Sequence, residues 1–457
     1  MSQPHKLARH VTYAAVVCVA GCMPITALAV PPQEPSLPGP LAGYRAVDLT
    51  HVLDHDFPFI PVPNITFPFS LEPIATLAQN GVAANAWHVH EHLGTQIDAP
   101  NHFVEGGRAL HQLRTDELFA PLVVLDVHEA AERDADYTIT VADLTRWEHA
   151  HGRIPRRALV AMYAGWDQRA HDSARYLQQD AAQVMHFPGF SPEAATFLAR
   201  ERDIWGLGVD TISFDPGRDH TYQTHKALLA EDRLAVEAMA NLQHVPERGA
   251  FVFLGAPNVR HATGGPLRVV ALHDGSRKTL AQQRAERVRS QLQGTWRSKS
   301  PEPIGEQMLL VRELRVDGNR WSVAYTISSA GGPELRGRSG GTYVIAPGAQ
   351  ADGALLAEFA FDERALTPLN AATASTLVAR ECAPSAPVGT AVDVHGGCAA
   401  FRVQPVATCP REYDRVRVDA ADGETKVFLG ARPTDGNLCE PGRRPAQLAP
   451  PLVRVAP

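Results

Sequence analysis

The sequence predicts an α/β domain followed by an all-β domain, and three observations support this prediction. From Tyr44 to about His273, apolar β-rich runs alternate with helical runs, which is typical of α/β folds. After Gly294 the pattern changes to short strands separated by Gly, Pro and Asp turns, which favours a β-sandwich or barrel. Seventeen of the 20 His lie between His51 and His273, whereas the 6 Cys lie near the two termini, so the two parts carry different chemistry.

Length and charge limit the classes of function. A chain of 457 residues is too long for one ordinary domain. It carries 50 acidic and 43 basic residues, which gives a formal net charge of -7. Because there is no basic excess, no nucleic-acid partner is expected. A content of 44% hydrophobic and 20% charged residues excludes wholesale disorder.

The elements of each part follow from the hydrophobic pattern. Continuous apolar runs over residues 122–125 and 159–162 predict buried strands, and residues 192–200 and 233–242 predict helices. A charged amphipathic pattern over residues 276–292 predicts a helix that connects the two parts. In the all-β part, strands are predicted over residues 307–316, 321–328, 341–345 and 426–429.

The N-terminus has the pattern of an export signal. Basic residues precede a short apolar core, and residues 27–29 (Ala-Leu-Ala) form a cleavage site, so residues 1–29 are predicted to be a signal peptide. Residues 19–22 support a second interpretation, because Val-Ala-Gly-Cys resembles a bacterial lipobox in which Cys22 is lipidated and attaches the chain to a membrane. A Pro-rich linker follows over residues 30–43. The chain is therefore expected in the periplasm or cell envelope, either free or lipid-anchored.

Export would place the four cysteines near the C-terminus in an oxidising compartment. In an oxidising compartment, four Cys are most simply two disulfides, and three pairings are open. The four are Cys382, Cys398, Cys409 and Cys439.

The densest chemistry lies over residues 87–103. If this segment begins as a strand, alternate side chains share one face, and these are His88, His90, His92, Gln96 and Asp98. The chain must leave the strand at Pro100, which has no N–H for the ladder, and a turn can then return His102 to the same face. Imidazoles and a carboxylate that converge in this way suit Zn²⁺ or Mn²⁺.

Residues 92–102 resemble the HxGTHxDxPxH signature of the cyclase family of metal-dependent hydrolases, which includes kynurenine formamidases and isatin hydrolases. Further landmarks follow in the family's order: D-L-T-H over residues 48–51, the continuation of the signature over 103–113, G-V-D-T-I-S-F-D over 208–215, then His225 and Glu237. The resemblance implies a swivelling β/β/α domain over residues 44–275. The helical connector then spans residues 276–293.

The resemblance also implies a metal site. His92 and Asp98 bind metal, Asp98 can bridge two ions, His225 and Glu237 complete a second site, and His102 is the acid–base residue. Residues twelve apart on one straight helix would be roughly 18 Å apart and could not share an ion. The chain must therefore break at residues 230–232, and Asp232 is a candidate N-cap for a helix that carries Glu237.

Gln96 departs from the family pattern, which has a second His at this position. An amide oxygen can ligate a cation but is neutral and less basic than imidazole. Three consequences are open: Gln96 coordinates weakly, or the site binds one ion rather than two, or a harder ion such as Mn²⁺ is favoured.

The all-β part carries a second resemblance. Residues 292–298 are similar to the opening of a lipocalin-like barrel. Residues 409–414, 428–436 and 444–453 resemble the end of the β-barrel domain of the adenomatosis-polyposis-coli-down-regulated family, although the Cys expected after the opening Trp is absent. This resemblance implies a barrel over residues 294–457. It leaves open whether the barrel holds a lipid or acyl group or has a structural or docking role.

Three functional hypotheses follow. The first is an exported hydrolase of an amide, formamide, lactam or lactone, acting on a small aromatic or cyclic substrate, with an aromatic wall from residues 55–69. The second is a non-catalytic binding protein that captures a ligand with its metal site and barrel. The third is that the ions only brace the fold. By analogy with the cyclase family, the chain is expected to form a homo-oligomer.

Overall fold

We describe the chain from a computed structural model that covers residues 37–304, 307–350, 352–421, 424–433 and 435–455, without the side chains of Ala349 and Ala421. The predicted signal peptide, Cys22 and residues 30–36 of the linker lie outside the described residues.

The α/β part contains thirteen of the described strands and the first seven helices. The strands are β1 Arg45–Asp48, β2 Ser70–Ala75, β3 Ala84–His88, β4 Gln96–Asp98, β5 Phe119–Asp126, β6 Thr138–Ile139, β7 Leu159–Tyr163, β8 Gly189–Phe190, β9 Gly206–Val209, β10 Leu234–Glu237, β11 Arg248–Gly255, β12 Gly264–Pro266 and β13 Arg268–His273. The helices are α1 Leu77–Asn80, α2 His128–Arg133, α3 Val141–His151, α4 Ser173–Leu177, α5 Pro192–Glu201, α6 Gln223–Leu229 and α7 Leu280–Gln291. None of the described helices is long and apolar enough to span a lipid bilayer.

Nine of these strands form one mixed sheet in the order β1-β13-β11-β5-β7-β9-β10-β4-β12. The central strands β5, β7, β9 and β10 are parallel, and the others pair antiparallel. Neighbouring residues of β5 enter different hydrophobic clusters, Val123 on one face of the sheet and Leu122 on the other. Because both faces are covered, the parallel strands read as continuous apolar runs. The strands predicted over residues 122–125 and 159–162 are confirmed, as is the helix over 192–200.

Two predictions for this part are wrong. Residues 233–242 do not form a helix, because Leu234 to Glu237 are strand β10, which lies in the sheet between β9 and β4. Asp232 is therefore not a helix N-cap; it has a φ of 55° and turns the chain between α6 and β10. The residues around 87–98 do not form one strand either, since β3 ends at His88 and β4 begins at Gln96. A short apolar run that is buried on both faces looks the same in a helix and in a central strand, and this ambiguity explains the first error.

The connector helix is confirmed as α7. Thr279 caps its N-terminus by accepting a hydrogen bond from the backbone N–H of Gln282. Its buried face carries Ala285 and Val288, which join the hydrophobic core of the following β part. On its other side, Arg287 pairs with Glu129 of α2 at 2.5 Å. The helix therefore contacts both parts of the chain.

The remaining described elements are almost all strands. They are β14 Gly294–Ser298, β15 Glu302–Pro303, β16 Leu309–Asp317, β17 Arg320–Ser329, β18 Gly332–Ala349, β19 Leu355–Ala360, β20 Glu363–Pro368, α8 Ala371–Ala379, β21 Val392–Asp393, β22 Arg411–Ala421, β23 Glu424–Leu429 and β24 Leu452–Arg454. Strands β16, β17, β18 and β23 contain the four strands predicted in this part, except that β16 begins at Leu309.

Eight of these strands close into an all-antiparallel barrel. The closed path runs β16-β14-β24-β23-β22-β19-β18-β17 and returns to β16. Trp296, Trp321 and Phe359 lie in its buried core. Of the sandwich and the barrel that the strand pattern left open, the structure therefore has the barrel, as the resemblance implied.

The structure selects one of the three disulfide pairings that the sequence left open. Cys382 is bonded to Cys398, and Cys409 is bonded to Cys439. The first bridge lies in a small hydrophobic cluster with Leu377 of α8. The first bridge therefore closes a loop within the long segment between β20 and β22. The second bridge links the residues just before β22 to the segment that follows β23.

Candidate metal centre

The three-residue strand β4 carries two of the predicted ligands. Gln96 and Asp98 are fully buried, and Ile97 between them packs into a hydrophobic cluster of the sheet. β4 is paired on both sides, with Asp98 opposite Ala235 of β10 and Gly264 of β12. Pairing on both sides fixes the backbone that presents the Asp98 carboxylate.

His92, Asp98 and His102 form a first cluster. Nδ1 of His92 lies 2.8 Å from Oδ1 of Asp98, and the rings of His92 and His102 stack with their centroids 3.8 Å apart. One nitrogen or oxygen from each of the three residues lies within 4.8 Å of the others. A 3-10 turn, Pro100–His102, returns His102 to the strand, so the predicted exit at Pro100 is confirmed.

Asp98, His225 and Glu237 form a second cluster, and all three are buried. Nε2 of His225 lies 3.3 Å from Oδ2 of Asp98 and 3.5 Å from Oε1 of Glu237. His225 lies on α6 and Glu237 on β10, so the predicted break between them exists although the second element is a strand. Asp98 belongs to both clusters, with one oxygen toward His92 and the other toward His225.

Gln96 lies opposite Glu237 in the ladder between β4 and β10. Its amide nitrogen donates a hydrogen bond of 2.6 Å to Oε2 of Glu237. Its amide oxygen is buried and has no hydrogen-bond partner. The amide therefore orients the Glu237 carboxylate and leaves one neutral oxygen free.

The two carboxylates of the second cluster affect each other's protonation. Burial raises the pKa of Glu237, and the negative charge of Asp98 raises it further. Burial also acts to raise the pKa of Asp98, but the neighbouring imidazoles of His225 and His92 hold it well below its ordinary value. Burial lowers the pKa of His102 to about 4, so its ring is neutral at neutral pH.

The residues of this centre fit a divalent cation. Oδ2 of Asp98 and Oε1 of Gln96 are buried and have no hydrogen bond with any described residue, and a buried polar atom in that state costs free energy. Coordination would satisfy both oxygens and balance the charge of two neighbouring carboxylates. Imidazole and carboxylate donors without thiolate suit Zn²⁺ and Mn²⁺ alike.

Hydrogen bonds behind the ligands orient the two imidazoles. Nδ1 of His225 is hydrogen-bonded to Asp215, which leaves Nε2 directed at the second cluster. Nε2 of His92 lies 3.0 Å from the Thr263 hydroxyl, and Thr263 donates in turn to Glu91. Nδ1 of His92 is thereby left for the first cluster. Such partners fix the tautomer of a metal-binding histidine.

Sequence reasoning assigned no role to Asp215, Thr263 or Glu91. Asp215 is the last residue of the family motif over residues 208–215, and that motif could have indicated a role for this residue. Thr263 precedes Gly264, where a Cβ atom would lie 2.5 Å from Cε1 of His92, so only glycine lets this backbone approach the ring.

Aromatic rings surround the two clusters. Phe214 stacks on His225 with centroids 3.8 Å apart, and Phe103 lies 4.8 Å from the same ring. From the aromatic stretch over residues 55–69, Phe59 and Phe67 contact His90. His90 and His88 are not part of either cluster; His88 pairs at 3.0 Å with Glu72 on the exposed hairpin of β2 and β3.

Comparison with known proteins identifies the α/β part. Residues 47–216 match the family model described as putative cyclase. The isatin hydrolase of Roseibium aggregatum is 30% identical over 242 residues, which is 50% of this chain and 91% of that protein. The chain belongs to the cyclase family.

Other cyclase-family proteins match the same part. The kynurenine formamidase of Paracidovorax citrulli is 25% identical over 212 residues, 44% of this chain and 86% of that protein. Among solved structures, isatin hydrolase A from Labrenzia aggregata bound to benzyl benzoate has 33% identity and a TM-score of 0.48, and the match covers 51% of this chain and 94% of that one.

Proposed function

We propose that this protein is a metal-dependent hydrolase that cleaves the C–N bond of a small aryl formamide or cyclic amide. Homology to isatin hydrolase and kynurenine formamidase supports a hydrolase that acts on amide-type C–N bonds. The observation that carries the proposal is the Asp98 carboxylate, which directs one oxygen to each of two histidine-containing clusters.

The proposed ligands are the residues that the sequence predicted. His92 and Asp98 hold one cation position, and Asp98, His225 and Glu237 hold a second, with the free oxygen of Gln96 beside it. A divalent cation at such a centre supplies Lewis acidity, which acidifies water and polarises a carbonyl group. Elemental analysis of the pure protein distinguishes Zn²⁺ from Mn²⁺ and gives the number of ions per chain.

His102 is the proposed acid–base residue. Its ring is neutral at neutral pH, so it can accept the proton of the attacking water and then donate that proton to the leaving nitrogen. Stacking on His92 holds the ring beside the first cluster. The products are a carboxylic acid and an amine, and no redox partner is needed.

The rings around the centre favour an aromatic substrate. Phe103 contacts both His102 and His225, at centroid distances of 4.6 and 4.8 Å. Tyr222 lies 5.4 Å from Phe103. These rings provide apolar contact and exclude water next to the proposed acid–base residue.

Pure full-length protein with stoichiometric metal should hydrolyse at least one of N-formylkynurenine, other aryl formamides and isatin. The His102→Ala variant should lose turnover by about a hundredfold or more and keep its metal, because His102 transfers protons. The His88→Ala variant is the matched control, since His88 is an exposed histidine outside both clusters, and it should be unchanged.

Two results would contradict the proposal. One is no turnover of any of these compounds by metal-loaded protein. The other is the same turnover in His102→Ala as in the wild type. Ligand binding without turnover would instead support the binding-protein hypothesis, which no structural observation favours over the hydrolase.

We also propose a cellular setting for the enzyme from the sequence pattern. Residues 1–29 are the proposed signal peptide, Cys22 is the proposed lipid attachment site, and the proposed location is the periplasm or cell envelope. We further propose a lipocalin-like barrel related to that of the adenomatosis-polyposis-coli-down-regulated family, the domain boundaries given by the sequence, and a homo-oligomeric state. The two disulfides in the barrel are compatible with an oxidising compartment.

A further inference from the structure

A cleft of about 500 Å³ lies between α2, α3 and the connector helix α7. Sites for small molecules have volumes in this range. Gln283 and Arg287 of α7 form part of its wall, so the cleft joins the cyclase-family part to the connector. It adjoins β5, which β7 and β9 separate from the Glu237 strand β10. The cleft is therefore distinct from the metal centre.

The acidic side chains of the cleft are already paired. Asp126 is bonded to His128 at 2.5 Å, Glu129 to Arg287 at 2.5 Å, Asp143 to Arg146 at 2.7 Å and Glu247 to His151 at 3.0 Å. Arg133 also lines the cleft, is exposed, and forms no hydrogen bond or ion pair with any described residue. Among the Arg, Asp and Glu side chains of this lining, only that guanidinium has no described partner.

Two buried ring nitrogens of the cleft also lack partners. Trp147 is 8% exposed, and its indole N–H, which can only donate, meets no acceptor. His128 is 3% exposed; Asp126 binds its Nδ1, and its Nε2 has no partner. A buried donor without an acceptor costs about 1–3 kcal/mol. The Trp147 N–H and the Arg133 guanidinium are therefore the donors that the cleft offers to an oxygen-rich anion, whereas Nε2 of His128 is an acceptor while Nδ1 donates to Asp126.

The rest of the lining is apolar or aromatic. Tyr137 and Trp147 supply rings, and Leu125, Ile139 and Ala150 supply aliphatic surface. A flat apolar group can bury its area against such a surface while a charged end remains near the rim.

We propose that this cleft binds a small aromatic carboxylate. The carboxylate lies on the Arg133 guanidinium and accepts the Trp147 indole N–H, and the ring lies against Tyr137 and Ile139. The proposal does not depend on the hydrolase activity, because no residue of the cleft belongs to the metal centre.

The test is titration calorimetry of full-length protein from which metal has been removed, so that the metal centre cannot capture a carboxylate. Benzoate should bind saturably at one site per chain, and neutral benzamide should bind at least about tenfold more weakly, because charge-assisted hydrogen bonds are the stronger ones. The Arg133→Ala variant should weaken benzoate at least about tenfold. The exposed and unpaired Arg336 of the barrel gives the matched control, Arg336→Ala, which should bind like the wild type.

Trp147→Phe tests the second contact, since it removes the N–H and keeps an aromatic ring; it should weaken benzoate by a smaller factor. Arg133 has no internal partner, so Arg133→Ala should fold normally, with an unchanged melting temperature. Absence of saturable benzoate binding, equal affinity for benzamide, or unchanged affinity in Arg133→Ala would each overturn the proposal. Loss of benzoate binding in His102→Ala would also overturn it, because the site would then lie at the metal centre.

Discussion

A buried carboxylate in the cyclase-family part and one in the barrel differ in how completely their oxygens are hydrogen-bonded. In the barrel, Glu412 is buried, and both of its oxygens are bonded, one to Arg364 and the other to Arg432. In the cyclase-family part, Asp98 is fully buried, and its Oδ2 has no hydrogen bond with any described residue; Nε2 of His225 lies 3.3 Å from it. A carboxylate whose oxygens are both hydrogen-bonded within the fold has little capacity left for a ligand, whereas an oxygen without such a bond keeps that capacity. We therefore expect a substitution at Asp98 to reduce metal binding and activity, and a substitution at Glu412 to reduce stability without reducing activity.

The largest effect is expected for Asp98→Asn. This substitution keeps the shape of the side chain and removes the charge that both clusters share. We expect kcat/KM for the active substrate to fall by at least about a thousandfold, together with loss of bound metal, because one carboxylate serves both positions. Elemental analysis and steady-state kinetics measure the two effects. Asp317→Asn, at an exposed aspartate of the barrel, is the control, and full activity in Asp98→Asn would refute the assignment.

The converse substitution is Glu412→Gln. It leaves the buried guanidinium of Arg364 and the exposed guanidinium of Arg432 without their shared counter-ion. We expect the barrel to lose about 3 kcal/mol of unfolding free energy, seen as a lower melting transition in calorimetry. Hydrolysis at temperatures below that transition should be unchanged. A loss of activity without a loss of stability would contradict the expectation that Glu412 serves the fold of the barrel and Asp98 serves the metal centre.

Asp215→Asn tests a residue that acts through a ligand. Asp215 holds Nδ1 of His225, so its loss leaves the orientation and tautomer of that ring undefined. We expect metal affinity to fall by roughly 10- to 100-fold, measured as the dissociation constant of the metal. Unchanged affinity would show that packing against Phe214 alone positions the ring.

The smallest effect concerns pH. Burial raises the pKa of Asp414 to about 6; the charge of Glu412 acts in the same direction, and Arg432 and the backbone N–H groups of Arg415 and Gly430 oppose it. The unfolded chain releases this proton near the ordinary aspartate pKa of 3.8, so the folded state binds more protons between these two pKa values. The stability of the barrel should therefore fall as the pH rises from about 4 to about 6, by roughly 2 kcal/mol from this group. The same pH series on Asp414→Asn should show a flatter profile, and an identical profile would contradict the prediction.

How well the sequence predicted the candidate metal centre depends on how far apart its residues lie along the chain. His92, Asp98 and His102 lie within one motif, and local rules for strands and proline place them together. Glu237 was assigned to the wrong element, because Leu-Ala-Val-Glu is too short for its period to be read. The pairing of Glu91 with Thr263 spans 172 positions, and no local rule brings such residues together.

The barrel shows the same limit. Short strands between turn residues predicted a β-sandwich or barrel, because alternation is a local property, and only the resemblance of this part to known barrels chose between the two. The disulfide pairing was open, since sequence separations of 16 and 30 residues are equally allowed until the strands are arranged.

Strand β12, whose Gly264 lies against the His92 ring, is also the last described strand at one edge of the nine-stranded sheet. β12 is the outermost strand beside β4, and an exposed edge strand is a place where another chain can add its own strand. β12 has only three residues, Gly264–Pro266, and its proline has no N–H to offer. The same short segment that brings the backbone against the imidazole thus protects this edge of the sheet from intermolecular pairing and aggregation.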